Sequence, residues 1–277
     1  MSLQWYPGHM TKARRELAAL MPSQDVVIEV LDARLPAASS NPLLTELRRQ
    51  KPCIKVLTKS DLADPRLTKA WLEHFRRQPN VAALESTTTR PQDARQRLAE
   101  LYRGCARHRG PDKHVRALIA GVPNVGKSTL INMLMNRAVA AVSDKPAVTK
   151  EQQAVVLKDG TTLTDSPGLL WPKMEDEHGA FRLALVGSIP DTAIDYLTIG
   201  LFGARLLLAS YAPLVVARFK LATTPATADA LLTEIGTRRG GRRPGGLVDL
   251  HKAAEIFVRE LRSGAIGRIS LEAPPAA

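Results

Sequence analysis

Residues 121–129 read GVPNVGKST, and no other run constrains the fold as strongly. Gly121, Gly126, Lys127 and Ser128 match the spacing G-x-x-x-x-G-K-[ST]. Val115–Ala120 before the run is apolar and strand-like, and Ser128–Met135 after it has a helical pattern. A strand that turns through such a loop into a helix offers its backbone N–H groups, and the positive end of the helix, to a phosphate. The glycines keep a Cβ out of the way of that turn. Asn124, Val125, Gly126, Lys127, Ser128 and Thr129 are the expected phosphate contacts. Lys127 reaches the β- and γ-oxygens, and the Ser128 hydroxyl ligates Mg²⁺.

A strand feeding this loop needs a sheet around it. Asp25–Leu31, Cys53–Leu57 and Val81–Leu84 are short apolar runs that read as buried parallel strands. Helical patterns fall between them at Leu43–Arg49, Leu67–Gln78 and Gln92–Tyr102. Gln153–Leu157 and Thr161–Thr164 flank Asp159-Gly160, a hairpin turn signal. This alternation predicts an α/β fold with a parallel-rich sheet covered by helices on both faces. Beyond Trp171-Pro172 the strand-like runs stop. Helical patterns take over at Ala180–Val186, Ala193–Tyr211, Ala226–Ile235 and Leu247–Arg262. The predicted organisation is therefore a nucleotide-binding domain over 1–173 and a small all-helical domain over 174–277.

Two further motifs carry nucleotide chemistry. Asp165–Gly168 reads DSPG at a strand end. There Asp165 can hold Mg²⁺ through water and the Gly168 N–H can meet the γ-phosphate. Thr149, in PAVTK, is the candidate third contributor to the Mg²⁺ shell. Thr58, Lys59, Ser60 and Asp61 read TKSD at another strand end. The Asp61 carboxylate can accept from guanine N1–H and N2–H₂, a donor pair that adenine lacks. Lys59 lies along the ring plane, and Ser86 and Thr87 supply backbone contacts to guanine O6. Asn is the usual residue at position 58. Thr58 keeps a hydroxyl to tie this loop to the phosphate loop but loses one hydrogen-bonding arm. Read alone, TKSD also suits a helix N-cap, with Ser60 or Asp61 ahead of Leu62.

The order of these motifs is reversed. A guanine-reading motif ordinarily follows the phosphate loop, whereas TKSD precedes GVPNVGKST here. That is the mark of a circular permutation. It leaves the DSPG turn at the end of the sheet, running through Leu169–Lys173 straight into the helical part.

Composition narrows the partners. The chain has 39 Lys+Arg against 27 Asp+Glu, a net charge of +12, which points to a polyanion. Residues 1–173 carry 27 basic against 16 acidic side chains and residues 174–277 carry 12 against 11, so most of the excess lies in the first part. Arg90–Arg116 holds eight Lys/Arg against three acids, which a solvated helix face would also explain. Arg238, Arg239, Arg242 and Arg243 lie in GTRRGGRRPGG, a glycine-rich stretch able to follow a phosphate backbone. Aromatic residues are only 4%, so shape and phosphate recognition are expected rather than base stacking. Cys53 and Cys105 have no metal-like spacing. The N-terminus carries no signal or transit pattern, and Tyr196–Ser210 is too short to span a bilayer. A monomeric cytoplasmic protein with no membrane partner is expected.

Taken together, WYPGHM (5–10), DVVIEVLDARLP (25–36), NPLL (41–44), GVPNVGKSTLIN (121–132), VTKEQQ (148–153), DSPGLLWPK (165–173) and GRISLE (267–272) make the chain resemble the permuted GTPases of the RbgA/YlqF group. The resemblance implies GTP/GDP and Mg²⁺ as ligands. It also implies action in late assembly of the large ribosomal subunit, through docking on precursor particles and their ribosomal RNA. Two other roles stay open at this point: an RNA-binding scaffold that holds GTP structurally, and a GTPase serving mature ribosomes or RNA modification. Leu169 stands where many GTPases place a water-orienting Gln, and its side chain cannot hydrogen-bond. The resemblance makes His9 the candidate for that task, with packing or RNA contact as its other reading. It also makes Asn124 a candidate K⁺ ligand, the alternative being an Asn bonded to its own loop.

Overall fold

The computed structural model describes residues 7–105, 114–135, 153–166, 177–240 and 247–275, the side chains of 7–13 and 153 excepted. They divide into two compact units, Gln4–Glu175 with Glu272–Ala277, and Asp176–Leu271. The expected boundary at 173/174 lies just before this division. The last residues, expected with the helical part, are grouped with the nucleotide-binding unit.

Among the described residues, the first unit is built on six strands: β1 (Val26–Asp32), β2 (Cys53–Thr58), β3 (Val81–Glu85), β4 (Arg116–Ala120), β5 (Gln153–Val156) and β6 (Thr162–Asp165). Their spatial order is β3-β2-β1-β4-β6-β5. All neighbours pair in parallel except the β5–β6 hairpin at one edge. That hairpin closes at Asp159-Gly160, where Gly160 takes φ +81°. The chain moves outward from β1 through β2 to β3, then returns to place β4 on the other side of β1. The crevice between the carboxyl ends of β1 and β4 is thus a topological switch point, the place where open α/β sheets bind ligands.

Among the described residues, six helices connect and cover these strands: α1 (Pro7–Leu20), α2 (Pro36–Ser39), α3 (Pro42–Arg48), α4 (Pro65–Arg76), α5 (Pro91–Cys105) and α6 (Lys127–Met135). Leu17 and Met21 pack with Leu44, Val27, Leu118 and Ala120. Trp71, Leu72 and Phe75 of α4 pack with Leu31, Leu57 and Ala83. Every residue of β1 is buried, Glu29 included. Its charge is met by its cross-strand neighbour Lys55, whose Nζ donates to Oε2 at 2.6 Å, while Ser40 Oγ and Asn41 N donate to Oε1. A buried carboxylate with three donors around it is tolerated in a strand whose neighbouring residues are Val, Ile and Leu. The chain end also belongs to this unit. Ala37 N and Ala38 N donate to the Glu272 carboxylate, and Trp71 Nε1 donates to the Glu272 carbonyl.

The second unit is helical: α7 (Glu177–Leu185), α8 (Tyr196–Ser210), α9 (Ala212–Phe219), α10 (Ala228–Arg238) and α11 (Leu250–Ser263). The pattern expected over Ala193–Tyr211 is shorter, because Asp195 caps α8 by accepting from Thr198 N. A separate helix, α9, follows at once, with Pro213 in its first turn. α8 lies close on α11 because Gly200 leaves no Cβ to meet Ala254. No single described helix is long and apolar enough to cross a membrane.

Candidate nucleotide-binding site

The phosphate loop lies between β4 and α6, at the switch point. Two of its glycines are required there. A Cβ on Gly121 would stand 2.4 Å from the Val30 carbonyl, so the loop can leave β4 alongside β1 only with glycine. Gly126 adopts φ +101°, a conformation that side chains rarely take. Asn124 adds a left-handed turn at φ +58°, which Asn tolerates better than most residues. Lys127 begins α6 and is buried, its Nζ donating to the Gly121 and Val122 carbonyls at 3.1 Å each. Burial draws this ammonium down to about 8, against the opposing pull of Asp165. Ser128 and Thr129 follow in the first helical turn, both half-buried.

Asp165 closes β6, which pairs with β4 so that Asp165 stands beside Ile119. It is 3% exposed, and its Oδ1 has no hydrogen-bond partner among the described residues. Burial pushes the carboxyl up to about 6, although Lys127 and the Ser166 N–H pull the other way. A buried carboxylate with an unpartnered oxygen, facing an ammonium and a helix N-terminus, suits a hydrated divalent cation next to bound phosphates. The residues present therefore fit Mg²⁺, with Ser128 and Asp165 as the candidates to hold it. Thr149 and Gly168 lie outside the described residues.

The base-reading loop follows β2, one strand removed from β4. The Thr58 hydroxyl lies within bonding distance of the Leu31 carbonyl and of the Val125 carbonyl in the phosphate loop. Lys59, at φ +55°, sends Nζ to the Asn124 carbonyl at 2.7 Å and to Asp32 Oδ2 at 3.0 Å. Ser60 meets the loop after β3, its N and Oγ both donating to the Ser86 carbonyl at 3.3 Å. Ser86 and Thr87 are buried there, and Asp61 is half-buried. The N-cap of α4 is Asp64, which accepts from Arg66 N at 2.8 Å. Asp61 is thus not the cap of this helix. The structure brings the 58–61, 86–87 and 124–129 segments together from three separate stretches of chain.

Other expected site residues fall elsewhere. His9 is in α1, and its side chain is outside the described residues. Arg238 is the last residue of α10 and Arg239 its C-cap, so neither is in the glycine-rich loop where the sequence pattern placed them. Helix α10 runs through Gly236 because a Cβ there would strike Val248 and crowd Ala253; the glycine permits close packing rather than breaking the helix. Arg238 pairs with Glu234 at 3.1 Å and Arg239 with Glu260 at 3.8 Å. Arg242 and Arg243 lie outside the described residues. Sequence reading gave no role to Asp32 and Arg34, which prove to adjoin the base loop. Their signal was two opposite charges where an apolar strand ends.

A phosphate loop at the switch point, a buried metal-type carboxylate beside it and a base loop tied to it together form a guanine-nucleotide site. Residues 116–193 match the family model described as "50S ribosome-binding GTPase". Over 99% of its length the chain is 38% identical to Ribosome biogenesis GTPase A of Bacillus pumilus, itself covered to 99%. The chain belongs to the ribosome biogenesis GTPase A family. The Thermotoga maritima member is 32% identical, with 98% of this chain and 95% of that one aligned. Mitochondrial ribosome-associated GTPase 1 of Mus musculus is 30% identical, with 97% and 90% aligned. The solved structure of GNP-bound YlqF from T. maritima superposes with a TM-score of 0.67 at 28% identity, covering 96% of this chain and all of that one. Like these GTPases, the chain is a GTP-hydrolysing enzyme. Its sheet is that of a GTPase whose motifs are permuted in sequence.

Proposed function

We propose that this GTPase acts in late assembly of the large ribosomal subunit, binding precursor particles and their RNA as a monomer in the cytoplasm. The observation that carries the reading is end-to-end similarity to proteins named ribosome biogenesis GTPases, spanning the helical unit as well as the nucleotide site. The description "50S ribosome-binding" of the matching model and the net charge of +12 support a large-subunit, polyanionic partner.

Within the site, backbone N–H groups of the loop and α6 cradle the phosphates, and Lys127 neutralises charge that builds on the β–γ bridge. Asp61 selects guanine, with Lys59 along the ring and Ser86-Thr87 at O6. Mg²⁺, held by Ser128, Thr149 and Asp165, supplies neutralisation of phosphate charge when bound. Gly168 senses the γ-phosphate, and His9 orients the attacking water, since Leu169 cannot. K⁺ at Asn124 adds positive charge, so GTPase rates should drop when Na⁺ replaces K⁺. Arg238, Arg239, Arg242 and Arg243 contact RNA phosphates, and ribosome binding stimulates turnover.

The test is depletion in the native host, followed by gradient analysis of ribosomal particles. Accumulation of immature large subunits that bind the purified protein with a GTP analogue is the expected result. Normal subunit profiles would overturn the reading.

A further inference from the structure

Among the buried charged groups that the mechanism above leaves unused, Asp32 bonds a residue of the base loop. Asp32 ends β1 at the switch point and is fully buried. Arg34, 2% exposed, grips it as a fork: Nε donates to Oδ1 at 2.9 Å and Nη2 to Oδ2 at 2.8 Å, and the Arg34 backbone N–H donates to Oδ1 at 3.1 Å. Two residues apart in sequence, the pair is held by backbone as well as side chain. Ser39 Oγ accepts from the Asp32 N–H, which fixes the strand end itself. An interaction of Asp32 leads from this block to the base loop. Oδ2 also accepts from Lys59 Nζ at 3.0 Å, and that same ammonium donates to the Asn124 carbonyl of the phosphate loop at 2.7 Å.

We infer that Asp32, locked by Arg34, is a positioning residue for base recognition: it anchors the Lys59 ammonium so that the lysine stem lies as a fixed shelf for the guanine ring, joined to the phosphate loop. This deepens the reading of 58–61 as the base site and rests on it. Three features support the assignment. Lys59 has a left-handed backbone at φ +55°, which directs its side chain back across the loop end. A lysine side chain is flexible, so two fixed acceptors are needed to remove that freedom before a base arrives. The anchor is also permanently charged. Burial raises the Asp32 carboxyl, but Arg34 and then Lys59 outweigh burial and hold it well below the usual carboxylate range. The anchor bears on the base side of the ligand, because its contact with the site runs through Lys59 of the base loop.

The test compares GDP with inorganic tripolyphosphate, which has phosphates and no base, by calorimetry on the full chain with Mg²⁺. Asp32→Asn by itself leaves a buried guanidinium unmatched, so the double variant Asp32→Asn/Arg34→Gln accompanies it as a neutral, hydrogen-bonding pair. Loss of the anchor should weaken GDP by about tenfold while tripolyphosphate affinity stays within about twofold. Adding either change to Lys59→Ala should cost GDP affinity less than about twofold more, since the effects share one interaction. Equal weakening of GDP and tripolyphosphate would reduce Asp32 to a structural role. Additivity with Lys59→Ala, or unchanged GDP affinity in the folded double variant, would overturn the inference. The underlying base-site reading is tested separately by Asp61→Asn: if guanine preference survives there, the reading fails, and if it is lost while the Asp32 variants still bind GDP normally, only the positioning role fails.

Discussion

The hydroxyl of Thr58 donates to the carbonyl of Val125, joining the base loop to the phosphate loop across 67 positions of sequence. With the neighbouring bond from Lys59 Nζ to the Asn124 carbonyl, it makes two loops from different strands into one ligand cradle. Thr58 Oγ1 also lies 2.9 Å from the Leu31 carbonyl, so its single proton has two backbone acceptors to choose between.

Removing that hydroxyl while keeping its shape should loosen the cradle. Thr58→Val is expected to weaken GDP by about fivefold, the worth of one net hydrogen bond of about 1 kcal/mol. Calorimetric titration against the parent chain checks this, with circular dichroism confirming that the sheet is intact. An unchanged dissociation constant would mean that Lys59 alone holds the loops together.

Asp64, and not Asp61, caps α4, and the proposed role of Asp61 is to read the base. Asp61→Asn turns an acceptor pair into an acceptor and a donor. GTP affinity should fall by at least about a hundredfold, and xanthosine triphosphate, with an oxygen at C2, should become the better ligand. Competition between the two nucleotides for a fluorescent analogue reads the switch directly.

His9→Ala should lower kcat by about a hundredfold in the presence of large-subunit particles and leave GTP affinity within about twofold. Single-turnover phosphate release, beside equilibrium binding, separates the two effects. Unchanged turnover would remove His9 from the reaction.

The β5–β6 turn has its own pH signature. Asp159 accepts from Tyr102 Oη at 2.9 Å and from Arg103 Nη2 at 2.7 Å. Burial pushes this carboxyl up, but Arg103, the Thr161 N–H and Tyr102 outweigh it and leave it at about 2, below its ordinary 3.8. A depressed carboxylate contributes stability that is fully present above its unfolded value and lost as pH falls through the folded one. Asp159→Asn should therefore cost about 1 kcal/mol at pH 7, modest because Arg103 is 56% exposed. The gap between parent and variant should close between about pH 4 and pH 2. Denaturant melts across that range measure it.

Much of this protein is written locally. The glycine spacing of 121–128, the apolar strands before TKSD and GVPNVGKST, and the Asp159-Gly160 turn each specify their own backbone from neighbours a few residues away. The parallel-rich sheet, the nucleotide class and the helical character of the second unit follow from these signals. Less legible were features in which a residue serves a distant partner. Gly236 reads as a helix breaker in sequence, yet it continues α10 because Val248 and Ala253 need its missing Cβ. Ala193–Tyr211 reads as one helix, but the Asp195 cap shortens it.

The sequence by itself determined that a phosphate loop, a metal-type carboxylate and a guanine-reading loop are present, in permuted order, because each is a short-range pattern of residue types. Only the tertiary structure decided how they become one site. The parallel pairing of β1 with both β2 and β4 brings Thr58 against Val125 and Lys59 between Asp32 and Asn124, and the pairing of β4 with β6 brings Asp165 towards Lys127. Those meetings depend on strand register and order, and no local run of residues encodes a neighbour that lies two strands away.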